Sequence, residues 1–144
     1  MTSELDEAIA DAEEQLATLF SRVRVIWKDA AAQIHPDLKP VGYKILSTVV
    51  RLGETSASAL AEHLDTDKAV VSRQVRMLEE AGFVVSRADE KDGRARVLSA
   101  TPIAVERVRA ARSRQQSKLH DLLRRLPVND VKTFASVLRL ISDS

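Results

Sequence analysis

Residues 56–96 constrain the fold most, because two short helical patterns, a tight break and two strand-like runs follow one another there. The second helical pattern starts after Asp67, a good N-cap residue, and ends at Gly82, a residue that favours the left-handed conformation of helix C-termini. Its apolar residues recur at about 100° per residue, which predicts one buried face. They are Val71, Val75 and Leu78. The opposite face begins small and basic and turns acidic: Ala69, Ser72, Arg73, Arg76 and Glu80.

The flanking segments place this helix in a larger motif. Residues 56–64 form a shorter helical pattern whose apolar side is predicted to pack on the second helix, and Asp65-Thr66 is a turn-forming pair between the two. After Gly82, the runs 83–85 and 97–98 are β-prone, and residues 89–93 are predicted to be the turn between them. The order helix, turn, helix and β-hairpin predicts a winged helix-turn-helix.

The polar face of the second helix suits contact with duplex DNA. An α-helix fits the major groove, where its first turns approach the bases, and arginine can bind guanine or hold a phosphate. For an isolated helix, a solvated surface face is the commoner explanation. The neighbouring helix and hairpin favour the groove-binding interpretation.

The hairpin supplies a second basic element. Its tip is rich in charged residues. Exposure to solvent is enough to explain those charges, so the tip alone is no evidence of DNA binding. Arg94 and Arg96 follow directly, and a basic finger beside a groove-reading helix can enter the adjacent minor groove.

These residues resemble the DNA-binding core of the MarR family of bacterial transcription regulators. The matching stretches are residues 60–64, 67–73, 78–84 and 92–94, and with the flanking helices the resemblance covers nearly the whole chain. It implies a homodimer that binds double-stranded DNA, with Asp92 at the wing carboxylate position and Arg94 as the minor-groove arginine. The predicted DNA contacts are Ser56, Ser58, Lys68, Ala69, Ser72, Arg73, Arg76, Asp92, Arg94 and Arg96.

Both ends of the chain are predicted to be helical. Apolar residues from Leu5 to Ala30 alternate in steps of four and three, which predicts one helix over about residues 3–34 that packs on a partner helix. Thr101-Pro102 starts a later helix that Pro127 stops, and a last amphipathic helix follows. We therefore predict a mainly α protein with a small β-hairpin wing. Residues 1–37 and 102–144 would form the helical dimerisation region and residues 38–101 the winged helix-turn-helix.

Composition excludes several classes of protein. The chain has no cysteine, which excludes disulfides, thiolate metal sites and thiol-based sensing. No apolar run approaches the roughly 20 residues that span a membrane, and the acidic start is unlike a secretion signal, so a cytoplasmic protein is expected. The formal net charge of +1 decides nothing about nucleic acid, although residues 1–18 are acidic and residues 105–125 are basic.

Catalytic and metal sites find no support in the sequence. The three histidines, His35, His63 and His120, lack metal-ligand spacing, and no nucleophile elbow or phosphate-binding loop is present. An enzyme is therefore not expected, and no cofactor or metal is predicted. A rival interpretation is a helical protein–protein adaptor that keeps the winged fold without binding DNA.

The family resemblance also implies a pocket for a small aromatic or phenolic anion between the dimerisation helices and the DNA-binding region. Aromatic walls and cations that could meet a carboxylate occur in the corresponding segment. The predicted pocket residues are Arg24, Trp27, His35, Tyr43 and Lys44. The alternative is that Trp27 is a core or interface anchor and that the cations are surface charges.

Overall fold

The computed structural model describes residues 3–144, in which six helices accompany one three-stranded antiparallel sheet. The helices are α1 (Glu4–Ile34), α2 (Pro40–Leu52), α3 (Ala57–His63), α4 (Lys68–Glu80), α5 (Pro102–Leu123) and α6 (Val128–Ser142). The strands are β1 (Glu54–Thr55), β2 (Val84–Ala88) and β3 (Arg96–Ala100). This architecture confirms the predicted class, mainly α with a small β wing.

Helix α1 forms as predicted and is closed at both ends. Ser3 Oγ accepts from the Asp6 N–H at 3.1 Å and Asp6 Oδ2 accepts from the Ser3 N–H at 3.2 Å, which completes a capping box. The hydroxyl and backbone N–H of Ser3 both donate to Asp6 and lower the pKa of its carboxyl. The helix ends at Ile34, because His35 precedes a proline and is extended. Only its last two turns contain buried residues, namely Ala30, Ala31 and Ile34.

The core of the winged helix-turn-helix lies where α2, α3 and α4 pack together. The buried aliphatic side chains of these helices include Ile45, Leu46, Val49, Leu60, Val71, Val75 and Leu78. The turn between α3 and α4 passes through Asp65, whose φ of +48° is a conformation that aspartate tolerates better than most residues. Helix α4 is therefore held on its apolar face, and its other face is left to solvent.

Both ends of α4 are capped by the residues that the sequence indicated. Asp67 Oδ1 accepts from the Ala69 N–H at 2.8 Å. At the other end Gly82 has a φ of +82°, and the N–H groups of Gly82 and Phe83 donate to the carbonyls of Glu79 and Leu78. This pair of bonds is a Schellman motif. Local sequence thus sets the length of the helix.

Replacing the N-cap of α4 should destabilise the fold. Asp67→Ala removes the acceptor for the first-turn N–H groups and should lower the free energy of unfolding by about 1 kcal/mol. Urea unfolding followed by circular dichroism measures this difference. Asp67→Ser is the matched control, since serine caps helices about as well. Equal losses in both variants would contradict a capping role.

The sheet is larger than the hairpin that the sequence predicted. Strands β2 and β3 pair from Val84↔Ala100 to Ala88↔Arg96, so the hairpin strands are longer and the connecting segment spans residues 89–95. The sequence Gly53-Glu54-Thr55 by itself predicts a turn. That prediction is wrong for Glu54 and Thr55, because they pair with β3 at Ser99 and Leu98. Gly53, with a φ of +83°, makes the turn before β1. The sequence could not indicate β1, because a strand of two residues shows no periodicity and its partners lie more than 40 positions away.

Contacts within the chain divide it into two compact units, with the boundary between Val108 and Arg109 inside α5. The predicted division into dimerisation and DNA-binding regions concerns assembly and binding rather than contacts within the chain. It stays a prediction, and residues 1 and 2 of its first segment lie outside the described range. No helix within residues 3–144 is both long and apolar enough to cross a membrane.

Candidate nucleic-acid interface

The outer face of α4 carries the predicted major-groove contacts on one continuous surface. Lys68, Ala69, Ser72, Arg73 and Arg76 are all exposed, whereas the opposite face of the helix is buried. Lys68 and Ala69 belong to the first turn, beside the free backbone N–H groups of the N-terminus. Glu79 and Glu80 follow at the other end, where they keep negative charge away from the basic turns. The N-terminal half of this face, which would approach a nucleic acid, thus carries only small or basic side chains.

The start of α3 offers two hydroxyl groups with different surroundings. Ser56 Oγ accepts from the Ala59 N–H at 3.1 Å and so caps α3. Its O–H can still donate to an outside acceptor, because capping uses only an oxygen lone pair. Ser58 is exposed in the first turn of α3. Ser56 therefore has a structural duty besides its predicted contact with DNA.

The wing tip is shaped by aspartate side chains that bind the backbone. Asp92 Oδ1 accepts from the Arg94 N–H at 3.1 Å, and Asp89 Oδ1 accepts from the Lys91 N–H at 3.0 Å. Asp92 thus fixes the peptide of Arg94 rather than its guanidinium. The Arg94 side chain is exposed and forms no ion pair within residues 3–144. It is available to an external anion.

Arg96 differs from Arg94 because its guanidinium is engaged within the wing. Arg96 Nη2 donates to the Ser86 carbonyl at 3.2 Å and to Ser86 Oγ at 2.8 Å, across the β2–β3 pair. These contacts brace the hairpin from its side. The structure thus separates the two predicted wing arginines into one at the free tip and one bound along β2.

An ion pair links the outer strands of the sheet. Arg87 Nη2 lies 3.0 Å from Glu54 Oε1, reaching from β2 past β3 to β1. The hydrogen bond to the Glu54 carboxylate and its negative charge raise the pKa of Arg87. Sequence reasoning missed this contact, because the sequence predicts a turn at Glu54 rather than a strand. As an exposed ion pair it adds little to the free energy of unfolding. Its effect is that the charge of Arg87, near the wing tip, is already paired with Glu54.

A cleft of about 340 Å³ lies between α1 and α2, lined by Val23, Arg24, Trp27, Pro40 and Lys44. Three of these were predicted pocket residues, and Lys44 Nζ sits 4.7 Å from the centroid of the Trp27 ring. The predicted Tyr43 is buried behind this wall, with its ring 5.6 Å from that of Trp27 in an edge-to-face contact. Val23 and Pro40 were missed, although each lies four residues before a lining residue, on the same helix face.

His35, the fifth predicted pocket residue, does not line this cleft. Its Nδ1 accepts from the Asp37 N–H at 3.1 Å, and its ring meets Phe83 edge-on at 6.0 Å. The Arg107 guanidinium lies on the same Phe83 ring at 5.4 Å and donates to the Ile34 carbonyl at 2.7 Å. His35 therefore belongs to a junction that joins the end of α1 to the start of the wing and to α5.

Another histidine contact was not foreseen from the sequence. Arg51 Nη2 lies 2.7 Å from His63 Nε2, which joins the end of α2 to the end of α3. Since a guanidinium only donates, Nε2 is the acceptor in this contact. His63 therefore takes part in holding α2 and α3 together.

Comparison with known proteins finds a family model that matches part of the chain. Residues 38–95 match the model of the MarR family. The winged helix-turn-helix segment is therefore similar to that family. The matched residues span α2, α3, α4 and β2, and end within the wing segment, which are the elements that carry the candidate interface. Among curated protein sequences, none matches the chain.

Solved structures support the MarR fold over the full chain. FabT from Streptococcus pneumoniae, solved in complex with DNA, aligns with a TM-score of 0.84 at 15% identity, covering 94% of this chain and 95% of that one. RV1404 from Mycobacterium tuberculosis gives 0.81 at 18% identity, with coverages of 100% and 97%. A mutant MarR from E. coli complexed with operator DNA gives 0.66 at 17% identity, with coverages of 96% and 99%. At these identities the likeness establishes the fold.

Proposed function

We propose that this protein is a member of the MarR family and a sequence-specific regulator of transcription that binds double-stranded DNA as a homodimer. The observation that carries the proposal is the exposed, basic outer face of α4 beside an unpaired wing arginine. Two solved structures with the same fold, FabT and the E. coli MarR mutant, contain DNA, which supports this function. The operator would be a pseudo-palindrome, because a two-fold dimer presents the same helix to both half-sites.

Each exposed side chain of the interface has a distinct proposed role. Ser72, Arg73 and Arg76 would read base edges in the major groove or position the helix there, and Ala69 permits close approach of the helix. Lys68 would hold a phosphate beside the N-terminus of α4, where the helix dipole adds to its charge. Arg94 would enter the adjacent minor groove, where a narrow groove concentrates negative potential.

Apolar surface left exposed in the single chain supports the homodimer. Helix α1 exposes Leu5, Ile9, Leu16, Leu19, Phe20, Val25 and Ile26. Helix α6, taken by itself, exposes Val128, Phe134, Val137, Leu138, Leu140 and Ile141. Contiguous apolar surface of this kind marks an interaction site in soluble proteins. A second copy of the chain would cover it by two-fold symmetry.

The cleft between α1 and α2 supports control by a small aromatic or phenolic anion. Trp27 offers a flat apolar wall, and Arg24 and Lys44 supply the positive charges that a carboxylate or phenolate requires. Such a ligand would compete with the ring of Trp27 for the Lys44 ammonium. We propose that the protein represses transcription and that the ligand releases it by favouring a spacing of the two α4 helices unsuited to the operator.

The proposed function is tested by selecting duplexes from a random pool with the full-length protein. Enrichment of a palindrome with half-sites about one helical turn apart, 10–10.5 base pairs, is the expected result. Light scattering on the same preparation gives the oligomeric state. A folded dimer that enriches no sequence would refute DNA recognition and favour the protein–protein adaptor.

Removing the wing arginine should weaken operator binding without affecting folding. Arg94→Ala deletes one exposed cation per subunit, and the expected loss is about tenfold for each subunit, the scale of one charge-assisted contact. Fluorescence anisotropy on the selected operator measures the affinity, and thermal unfolding checks the fold.

Lys132→Ala is the matched control for Arg94→Ala, because it removes the same charge from α6, outside the predicted DNA-binding region. Its operator affinity should equal that of the wild type. Unchanged affinity in Arg94→Ala would remove the wing from the proposed interface, whereas equal losses in both variants would reduce its role to net charge.

A further inference from the structure

A glycine in the first turn of α2 lies against the recognition helix α4. A Cβ added to Gly42 would lie 2.9 Å from Gln74 Oε1 and 2.6 Å from Leu38 Cδ1, both closer than real Cβ contacts. Gly42 is buried, and Gln74 is partly buried on α4, next to the exposed Arg73. Any inward movement of this turn of α2 must therefore displace Gln74 or carry α4 with it.

The same turn of α2 forms one wall of the cleft. Pro40 and Lys44 line the cleft and are four residues apart, so they share one face of α2. Gly42 lies two residues from each, about 200° around the helix, and therefore faces the opposite way. The first turn of α2 therefore separates the cleft from α4: Pro40 and Lys44 face the cleft, and Gly42 faces α4.

Gln74 carries an unusual feature at this contact. Its Oε1 is buried and has no hydrogen-bond partner within residues 3–144. A buried acceptor without a donor costs free energy. A small shift that admits water or another donor to Oε1 would recover part of that cost. The contact between α2 and α4 therefore contains an acceptor whose hydrogen-bonding capacity is unmet.

We propose that the Gly42–Gln74 contact transmits the state of the cleft to the recognition helix. This inference rests on the proposed DNA-binding function and specifies how its ligand control works. A planar anion that displaces Lys44 from the Trp27 ring moves the first turn of α2, and Gly42 passes the movement to Gln74 and α4. By thermodynamic reciprocity, DNA bound to α4 must also alter the cleft.

Trp27 reports on the cleft without any added ligand, because it is the single tryptophan of the chain and lines the cleft. Lys44 Nζ lies 4.7 Å from the centroid of the Trp27 ring, so we expect Trp27 emission to change when this ammonium moves. Titrating the wild-type protein with the selected operator duplex should shift Trp27 emission with the same saturation point as binding measured by anisotropy of a labelled duplex. Gln74→Ala should still bind the duplex and lose the emission shift, whereas Gln116→Ala, at an exposed glutamine, should keep both.

A second pair of variants tests the contact without fluorescence. Gly42→Ala should lower operator affinity, since its Cβ would clash with Gln74 of α4 as well as with Leu38. Gly42→Ala/Gln74→Ala should recover part of the loss, because alanine at position 74 removes the clash with α4 and leaves the one with Leu38. Thermal unfolding verifies that each variant is folded. Additive effects of the two substitutions would overturn the proposal.

The outcomes separate the inference from the function on which it rests. Operator binding without a Trp27 shift in the wild type, or an unchanged shift in Gln74→Ala, overturns the coupling and leaves DNA recognition standing. Failure of the wild-type protein to bind any duplex overturns both.

Discussion

Operator affinity should fall by about 10³-fold when monovalent salt is raised from about 50 mM to about 200 mM. Lys68, Arg76 and Arg94 give each subunit three exposed cations at the interface. Whether it holds a phosphate directly or lies in a groove between two phosphate backbones, each cation displaces condensed counterions, so a dimer would act as if it neutralised about six phosphates. Each neutralised phosphate releases condensed counterions and contributes about 0.9 to the slope of log affinity against log salt. This effect is large, because it adds over every contact of both subunits.

Anisotropy titrations at several salt concentrations and constant pH measure this slope, with circular dichroism as the check that the fold does not change. A random duplex serves as the comparison, since non-specific binding is also electrostatic. The adaptor interpretation expects no measurable affinity for either duplex at any salt concentration. A measurable but flat affinity would show that the basic face of α4 does not meet phosphates.

Arg73→Ala should produce the largest loss among the single substitutions in the interface. A bidentate arginine–guanine contact is worth about 1 to 3 kcal/mol, and the dimer makes it in both half-sites, so about 2 to 6 kcal/mol is expected on the operator. Non-specific duplex should be affected much less, because the lost contact carries sequence information. Base preference at one position of each half-site should therefore relax.

Lys68→Ala is the informative contrast, since Lys68 stands at the N-terminus of the same helix and is expected to contact a phosphate. It should weaken binding about equally on every sequence and reduce the salt slope by about 1 for each subunit. Affinities for the operator, for single-base variants of its half-sites and for random duplex distinguish the two cases. A uniform loss in Arg73→Ala would make Arg73 a phosphate contact instead.

The sequence could predict the winged helix-turn-helix because most of its signals are local. The caps at Asp67 and Gly82 act within one helical turn of the groups they satisfy, and the buried face of α4 follows from spacing alone. The same reasoning located the exposed basic face. Three of the five predicted pocket residues, Arg24, Trp27 and Lys44, line one cleft, since they lie on two helices that the sequence also predicted.

Features that depend on distant partners escaped the sequence. Strand β1 exists because Glu54 and Thr55 meet β3, and no pattern in two residues announces this. Arg94 and Arg96 are alike in sequence, yet only the folded hairpin brings Ser86 beside the second guanidinium. His35 contacts Phe83, nearly 50 positions away, rather than the cleft that its neighbours suggested.

By itself, then, the sequence determined the helices, their caps and the polar face of α4, because hydrogen bonds and apolar periodicity within one helix depend only on nearby residues. The tertiary structure alone decided which cations stay free, where the cleft lies and how closely α2 approaches α4. Those properties arise from contacts between segments far apart in the chain, whose distances follow from packing rather than from spacing. Gly42 and Gln74 illustrate the difference, since their contact exists only in the fold.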